Sequence, residues 1–143
     1  DVYKRQIRIW EVRSGKIIQT LHYPGETDIH DIAFSEDGLF LAAVGRLSRA
    51  MLWETSSWET LSLPPFRDNG NAVDFSPDNS LLAVSGSAEK AILLFEIKRG
   101  TRISTLALDD QSLAMTFSPD GRYLAAGLFS GEILLFGISP ESR

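Results

Sequence analysis

Side chains that commonly carry catalysis or bind metal ions are scarce in this chain. It contains two histidines and no cysteine, which excludes a disulfide, a thiol nucleophile and a zinc–thiolate site. His22 and His30 stand eight residues apart, and no third histidine is present to complete a metal site. We therefore expect a structural role for each histidine, with ligand or general-base chemistry as the alternative. No metal and no cofactor are expected.

Carboxylates are more numerous, and their settings differ. Asp37, Asp78 and Asp120 each lie in a short polar segment of the kind in which an aspartate bonds to its own backbone. We expect these three to be structural. The Asp109-Asp110 pair stands between two predicted strands. It is either a solvated charge pair or a point of contact for a cation or a basic partner.

The bulk composition is that of a globular protein with an acidic balance. Hydrophobic residues make up 43% of the 143 residues, and the formal net charge is −5. An acidic chain without a run of lysine or arginine is a poor candidate for binding nucleic acid or an anionic membrane. No apolar run reaches membrane-spanning length. We expect a cytoplasmic protein by default and leave export open, because the N-terminus of the protein is expected to be missing.

Two kinds of marker recur along the chain at nearly the same interval. An aromatic residue closes an apolar segment at intervals of 43, 42 and 41 residues. A phenylalanine opens a Phe-Ser-x-Asp segment at intervals of 41 and 42 residues. A shared period near forty predicts tandem structural repeats of the kind that form propeller blades. The first set is Trp10, Trp53, Phe95 and Phe136, and the second is Phe34, Phe75 and Phe117.

Each repeat divides into four short strands, which predicts an all-β fold. The third strands are continuously apolar, which indicates burial on both faces, as in a blade that lies between two other blades. In the best-defined repeat the strands are expected at 72–75, 81–85, 91–96 and 101–106.

Phased in this way, the chain holds two complete blades and two incomplete ones. The blades are expected at 7–21 (the last two strands of a blade), 29–63, 72–106 and 113–138 (three strands). Residues 139–143 are expected to form a tail. Residues 1–6 resemble the translation of a sequencing adapter, and we expect them to be a non-native leader.

The turns contain the residues that tight turns require. Gly38 and Gly121 stand where the backbone dihedral φ is expected to be positive, and Asn79 replaces glycine there in the middle repeat. Glu36 takes the place that proline holds in the other two repeats. The turn before Trp58 lacks the glycine of its counterparts, and Trp58 is expected to begin an outer strand.

Period, strand order and turn sequence together resemble the WD-repeat β-propeller family. The resemblance covers residues 7–138 and rests on the Phe-Ser-Pro-Asp-Gly turn, the Leu-Ala run after it and the aromatic residue that closes the third strand. It implies a partial β-propeller of consecutive four-stranded antiparallel blades. About three repeats are too few for a ring of about four to eight blades. We therefore expect a longer protein, whose remaining blades are partners of this segment.

The sequence departs from the family at the polar residues that often tie each blade together. The strand serine or threonine stands as Ala43, Val84 and Ala126, and the glycine–histidine pair stands as Gly25-Glu26 in one repeat. A half-satisfied buried polar network is worse than none, so losing the whole set is physically consistent. We therefore expect apolar packing alone to hold these blades together.

Loops that join second to third strands, or one blade to the next, are expected to form a partner-binding edge. Aromatic and arginine side chains dominate the binding energy at interfaces. The loop residues that fit this description are Tyr23, Arg46, Arg49, Phe66, Arg67 and Phe129. The segment 64–67, stiffened by two prolines, is the preferred one. The alternative is that Phe66 packs between blades and that the arginines are only solvated.

These observations predict a non-catalytic scaffold that binds a protein or peptide through the loops at the edge of its blades. The alternative is the propeller module of a larger enzyme or signalling protein, such as a hydrolase, peptidase or kinase, whose catalytic domain lies outside this sequence. The sequence itself offers no set of residues for an enzyme activity. Neither nucleic acid nor membrane is expected among the partners.

Overall fold

The computed structural model describes residues 6–24, 28–67 and 69–139. Thirteen β-strands lie in these ranges. They are β1 (Gln6–Glu11), β2 (Lys16–His22), β3 (Ile29–Phe34), β4 (Phe40–Gly45), β5 (Met51–Glu54), β6 (Thr60–Leu61), β7 (Gly70–Phe75), β8 (Leu81–Gly86), β9 (Ala91–Glu96), β10 (Thr101–Ala107), β11 (Ser112–Phe117), β12 (Tyr123–Leu128) and β13 (Ile133–Gly137).

Some of the sequence predictions fall on residues outside these ranges. Of the predicted leader 1–6, only Gln6 is described, as the first residue of β1. The Gly25-Glu26 pair lies outside the described residues, as does the predicted tail after Ser139.

Hydrogen bonds join the described strands into four antiparallel sheets, which we call blades 1 to 4. Blade 1 contains β1 and β2, blade 2 contains β3 to β6, blade 3 contains β7 to β10 and blade 4 contains β11 to β13. Strands that are neighbours in sequence are neighbours in each sheet. This is the partial propeller that the repeat predicts, with two four-stranded blades between two incomplete ones. In blade 2 the fourth strand is short, because only Thr60 and Leu61 pair with β5.

Serine and aspartate side chains fix the turn between the first two strands of a blade, as predicted. In blade 2, Ser35 Oγ donates to Asp37 Oδ1 at 2.7 Å and accepts from Phe40 N at 2.9 Å. Asp37 Oδ1 also accepts from Leu39 N at 3.0 Å. The same three bonds recur in blades 3 and 4. The carboxylates of the turn aspartates therefore form hydrogen bonds within their own turns.

The predicted left-handed residues are confirmed, and one of them has a second role. The dihedral φ is +71° at Gly38, +59° at Asn79 and +68° at Gly121. Asn79 Oδ1 also accepts a hydrogen bond at 2.9 Å from Glu36 N in the preceding blade. Proline occupies the position of Glu36 in blades 3 and 4 and has no N–H to donate. Glu36 and Asn79, the two residues that depart from the repeated turn sequence, are thus bonded to each other between blades 2 and 3.

The turn before β6 differs from the prediction, because Trp58 precedes that strand instead of beginning it. Its φ is +58°, close to the +65° of Gly15 and the +62° of Gly100. Trp58 N donates to Glu54 O at 2.7 Å, just as Gly15 N donates to Glu11 O at 2.8 Å. A left-handed non-glycine residue costs about 1–2 kcal/mol. Partial packing of the indole between blades 1 and 2 offsets this cost.

Three apolar clusters fill the spaces between successive blades. Leu93 and Phe95 contribute to the cluster between blades 2 and 3. Ile92 and Leu94 contribute to the cluster between blades 3 and 4. Because these residues alternate along β9, one strand supplies both clusters, which explains why its sequence is continuously apolar. A third cluster lies between blades 1 and 2.

The expectation that apolar packing alone holds the blades together is wrong, and the most buried exception lies in blade 3. Ser85, the residue after Val84, is fully buried. Its hydroxyl accepts from Ala72 N at 3.0 Å within the blade and donates to Ser112 O of blade 4 at 3.3 Å. The buried polar position of this strand is Ser85 rather than Val84, so a satisfied hydroxyl helps to join the two blades.

Candidate interaction surface

The antiparallel order of the strands brings the predicted loops to one edge of the blades. In blade 2, the loop that follows β4 and the segment that follows β6 leave the sheet at the same end. We call this edge the loop rim, and its described residues include 46–50, 62–67, 69, 87–90, 108–111 and 129–132. The opposite edge is the turn rim, which contains 12–15, 35–39, 55–59, 76–80, 97–100 and 118–122.

Main-chain hydrogen bonds hold neighbouring segments of the loop rim together. Each of these bonds joins a loop within a blade to a connection between blades. The bonds are Phe66 N to Ser48 O (2.9 Å), Ser87 N to Asn69 O (3.0 Å) and Phe129 N to Gln111 O (2.9 Å). The main chain therefore sets the shape of this edge.

Two of the six predicted contact residues lie in the interior. Phe66 is 5% exposed and packs between blades 2 and 3, which is the alternative that the sequence left open for it. Tyr23 is 3% exposed and packs between blades 1 and 2. Burial raises the pKa of Tyr23 to about 12, and its hydroxyl finds no hydrogen-bond partner in the described part of the chain. Both rings pack between blades and are not accessible to a partner, so we leave them out of the candidate interaction surface.

The three predicted arginines lie together at one corner of the loop rim, beside blade 2. All three are exposed. Arg49 and Arg67 each directly follow one of the two residues, Ser48 and Phe66, that the main chain bonds together. Arg46 stands two residues before Ser48 in the same loop. We call Arg46, Arg49 and Arg67 the arginine cluster.

Nearby acidic side chains leave much of this cluster unpaired. Arg46 Nη1 lies 3.6 Å from Asp28 Oδ2, in a pair whose side chains are 62% and 76% exposed. Such an exposed pair contributes little. Glu89 Oε1 accepts from the main-chain N–H of Arg67 at 2.8 Å. Across residues 6–24, 28–67 and 69–139, the guanidinium groups of Arg49 and Arg67 form no ion pair.

Phe129 projects from the loop rim of blade 4, where its side chain is 67% exposed. The loop that carries it is a tight turn, because Leu128 N donates to Glu132 O at 2.8 Å and Gly131 N donates to Leu128 O at 3.0 Å. Gly131 has a φ of +92°, which glycine adopts readily. A well-fixed turn therefore presents the ring outward.

The blade 4 end of the loop rim is acidic. Asp109, Asp110 and Glu132 lie in the same loops as Phe129 or in the connection bonded to them. Lys90 Nζ donates to the main-chain oxygen of Asp109 at 3.2 Å, so its ammonium group is bonded to the backbone. The loop rim thus has a basic corner at blade 2 and an acidic region at blade 4.

The first strands of successive blades are joined by carboxylates that the sequence analysis does not single out. Asp31 Oδ2 accepts from Val73 N at 2.9 Å, and Asp74 Oδ2 accepts from Phe117 N at 2.7 Å. Burial raises the pKa of Asp74, and the bond from Phe117 N opposes that shift. The available signal was an aspartate next to an apolar residue inside a first strand, one or three residues before the marker phenylalanine.

His30 belongs to the same set of contacts between blades. Register shifts in β3, β7 and β11 leave His30, Asn71 and Leu113 without a partner on the neighbouring strand. Such bulges redirect a side chain. His30 Nδ1 donates to Gly70 O at 2.9 Å, and Asn71 Nδ2 donates to Ser112 O at 3.2 Å. These bonds support the structural role that we expect for His30.

Other kinds of site find little support in the described residues. No cluster of three or more histidine, aspartate or glutamate side chains in these ranges could hold a metal ion. His22 is exposed and pairs with Gln6 at the end of β2. In the same ranges, no helix has the length and apolar character needed to cross a membrane.

Comparison with known proteins agrees with this geometry. Residues 15–54 and 69–96 match the model of the family described as WD domain, G-beta repeat. These segments span β2 to β5 and β7 to β9.

Several relatives match almost the whole chain, among them the following three. It is 25% identical to small ribosomal subunit protein RACK1 of Neurospora crassa, over 98% of this chain and 46% of that protein. It is 31% identical to nuclear distribution protein nudF of Aspergillus niger, over 96% of this chain and 35% of that protein. It is 29% identical to actin-interacting protein 1 of Drosophila melanogaster, over 95% of this chain and 23% of that protein.

The chain thus spans less than half the length of each of these relatives. Proteins built from such repeats typically act as scaffolds for protein interactions. The blade architecture, the repeated turns and these matches together place the chain in the WD40-repeat family.

Proposed function

We propose that the loop rim binds a protein or peptide partner and that this chain serves as a non-catalytic interaction scaffold. One observation carries the proposal: main-chain bonds fix an edge that exposes the arginine cluster and the ring of Phe129. Arginine and aromatic side chains are enriched among the residues that dominate interface energies. A preformed edge also loses less conformational entropy on binding than a flexible one.

The turn rim has fewer groups left for a partner. Its aspartates accept bonds within their own turns. Arg99 lies 3.4 Å from Glu96, and the guanidinium carbon of Arg122 lies 5.7 Å from the ring centre of Tyr123. Exposed cations such as Lys98 also occur on the turn rim, so pairing alone does not separate the two edges. The loop rim is favoured because three arginines lie at one of its corners.

A pocket of about 290 Å³ opens between the turns of blades 2, 3 and 4. Its acidic lining residues are Glu36, Asp78 and Asp120. The Ser118 hydroxyl holds the pKa of Asp120 below its usual value, and Asp78 accepts equivalent bonds in its own turn. Turn structure accounts for the carboxylates of Asp78 and Asp120, so we assign the pocket no ligand.

The proposal is tested by comparing partner recovery between the two edges. Affinity-tagged protein is purified from cells with partner recovery measured by quantitative mass spectrometry, using a loop-rim variant (Arg49→Ala, Arg67→Ala, Phe129→Ala) and a turn-rim variant (Arg99→Ala, Lys98→Ala, Arg122→Ala). We expect the loop-rim variant to lose most of the recovered partners while its melting temperature stays near that of the parent. Equal recovery by the two variants would contradict the proposal.

A further inference from the structure

We propose that the arginine cluster binds an acidic peptide segment, one that presents carboxylate side chains along one face of an extended chain. This inference rests on the proposed function and specifies the partner chemistry at one corner of the loop rim. It follows from the spacing of the arginines, from their charge environment and from the opposite charge at blade 4.

The three arginines of the cluster are close enough together to contact one short segment of a partner. The bond from Phe66 N to Ser48 O is 2.9 Å long, and Arg67 and Arg49 are the next residues along the chain. Backbone dimensions then place the Cα atoms of Arg49 and Arg67 within about 13 Å of each other. Arg46 stands in the same short loop as Arg49. One short segment of a partner can therefore reach all three guanidinium groups.

An extended peptide matches this spacing. Its side chains alternate between two faces, and residues two apart on one face are separated by roughly 6.6 Å. Carboxylates at alternate positions can thus meet successive arginines. Each arginine offers a planar fork of donors that bonds a carboxylate through two parallel N–H groups.

Charge at this corner differs from the charge of the whole chain. The sequence carries a net charge of −5, yet three exposed cations gather here. Two described carboxylates share this corner: Glu89 accepts from the main-chain N–H of Arg67 and keeps its charge, and Asp28 pairs with Arg46. Asp68 follows Arg67 in the sequence and lies outside the described residues. In the described ranges the charges of Arg49 and Arg67 are left for an outside partner.

The acidic region at blade 4 restricts the partner further. Asp109, Asp110 and Glu132 lie along the same edge, where a long polyanion would meet repulsion. A short acidic segment that ends before blade 4 avoids this repulsion. A protein partner therefore fits the loop rim better than a nucleic acid does.

The test uses fluorescent peptides in place of the natural partner. The probe is an alternating Glu-Ala peptide with four glutamates, and its matched controls are the Gln-Ala and Lys-Ala peptides. A phosphoserine-Ala peptide distinguishes phosphate from carboxylate as the preferred anion, and single-stranded DNA of similar charge serves as the polyanion. Binding is followed by fluorescence anisotropy at low and at physiological ionic strength.

We expect the acidic peptide to bind, with an affinity that falls as salt is added. The variant Arg49→Gln, Arg67→Gln should weaken it about tenfold or more. The charge-matched variant Arg99→Gln, Arg102→Gln, at the turn side of blade 3, should change it by less than about twofold. Tighter binding of the phosphoserine peptide would assign phosphate as the preferred anion and would overturn the carboxylate assignment.

Three further outcomes would overturn the inference: equal binding of the Glu-Ala and Gln-Ala peptides, equal losses in the two arginine variants, or tighter binding of DNA than of the acidic peptide. Its failure can be distinguished from failure of the proposed function. If Phe129→Ala still removes cellular partners while the acidic peptide does not bind, the loop rim remains the binding edge and only the partner chemistry is wrong.

Discussion

The sequence Ile-Leu-Leu-Phe occurs twice in this chain, at 92–95 in β9 and at 133–136 in β13. In β9, Ile92 is 0% exposed and Leu94 is 4% exposed. In β13, the equivalent Ile133 is 78% exposed and Leu135 is 64% exposed. The same four residues in the same kind of strand therefore meet very different surroundings.

The difference comes from what lies on the two sides of each strand. Blade 3 has blade 2 on one face and blade 4 on the other, whereas the described part of blade 4 contacts a neighbour only through Leu134, Phe136 and the other residues that face blade 3. The repeat thus encodes two apolar faces on every blade, and a face is buried only where a neighbour covers it.

The largest expected difference in stability is between alanine substitutions of the two isoleucines, Ile92 and Ile133. Ile92→Ala removes a fully buried side chain and should lower the free energy of unfolding by about 2–5 kcal/mol. Ile133→Ala removes an exposed one and should lower it by less than about 1 kcal/mol. Urea unfolding at several protein concentrations measures both. Similar losses at all concentrations would mean that the open face is covered and would break the comparison.

A smaller effect is expected at the buried hydroxyl that joins blades 3 and 4. Ser85→Ala leaves Ala72 N without the acceptor that it has in the parent, which should cost about 1–3 kcal/mol. The equivalent position of blade 4 is Gly127, which has no side chain to make this bond. Equilibrium unfolding is the measurement, with Ser80→Ala as a control in a nearby turn. A loss no larger than that of the control would show that the Ser85 hydroxyl adds nothing measurable to the other contacts between the two blades.

The stability of the contact between blades 3 and 4 at Asp74, which accepts a hydrogen bond from Phe117 N, should depend on pH. Burial raises the pKa of Asp74, so the folded chain binds a proton more tightly there than the unfolded chain does. This group therefore reduces stability above its folded pKa, and the reduction is relieved as the pH falls toward the ordinary value of 3.8.

Asp74→Asn removes the titration and keeps an oxygen that can accept from Phe117 N. Relative to this variant, the parent should gain stability as the pH is lowered from 7 toward 4, measured as melting temperature. Asp120 should behave in the opposite way, because its pKa is lowered in the folded chain. Relative to Asp120→Asn, the parent should lose stability as the pH falls below 3.8, since the stabilising contribution of the carboxylate is lost when it is protonated. A parallel pH course for the parent and Asp74→Asn would contradict this prediction.

The smallest effect is expected at Tyr23. Its buried hydroxyl has no hydrogen-bond partner among the described residues, in contrast to that of Ser85. Tyr23→Phe removes this unsatisfied group and should leave stability within about 0.5 kcal/mol of the parent or raise it slightly. Thermal melting checks this. A loss above about 1 kcal/mol would reveal a bond that the hydroxyl makes in solution.

The elements that follow local chemistry were predictable from the sequence. The strands of blade 3 start and end within two residues of their predicted limits, because the Ser-x-Asp turns fix where a hairpin reverses. The positive φ of Asn79 was also predictable, since few other residues tolerate it. The position of Trp58 was not predictable, because tertiary packing of the ring offsets an unfavourable backbone conformation.

The candidate site was predictable only in part, since exposure depends on neighbouring blades. The sequence selects Phe66 and Phe129 by the same criterion, yet one ring enters the space between two blades and the other faces outward. The sequence places the strand serine or threonine position at Val84, whereas the next residue, Ser85, supplies the buried hydroxyl. The contacts of Asp31 with Val73 require knowledge of which strands lie next to each other, which a single sequence does not contain.

The bond between Glu36 N and Asn79 Oδ1 means that the repeats are not interchangeable. Blade 2 supplies a donor that a proline would remove, and blade 3 supplies an acceptor that a glycine would lack. A transposed or duplicated repeat would arrive at its new junction with one half of this pair missing. The junction between blades 2 and 3 therefore depends on two residues that a repeat with the common Ser-Pro-Asp-Gly turn would replace by proline and glycine.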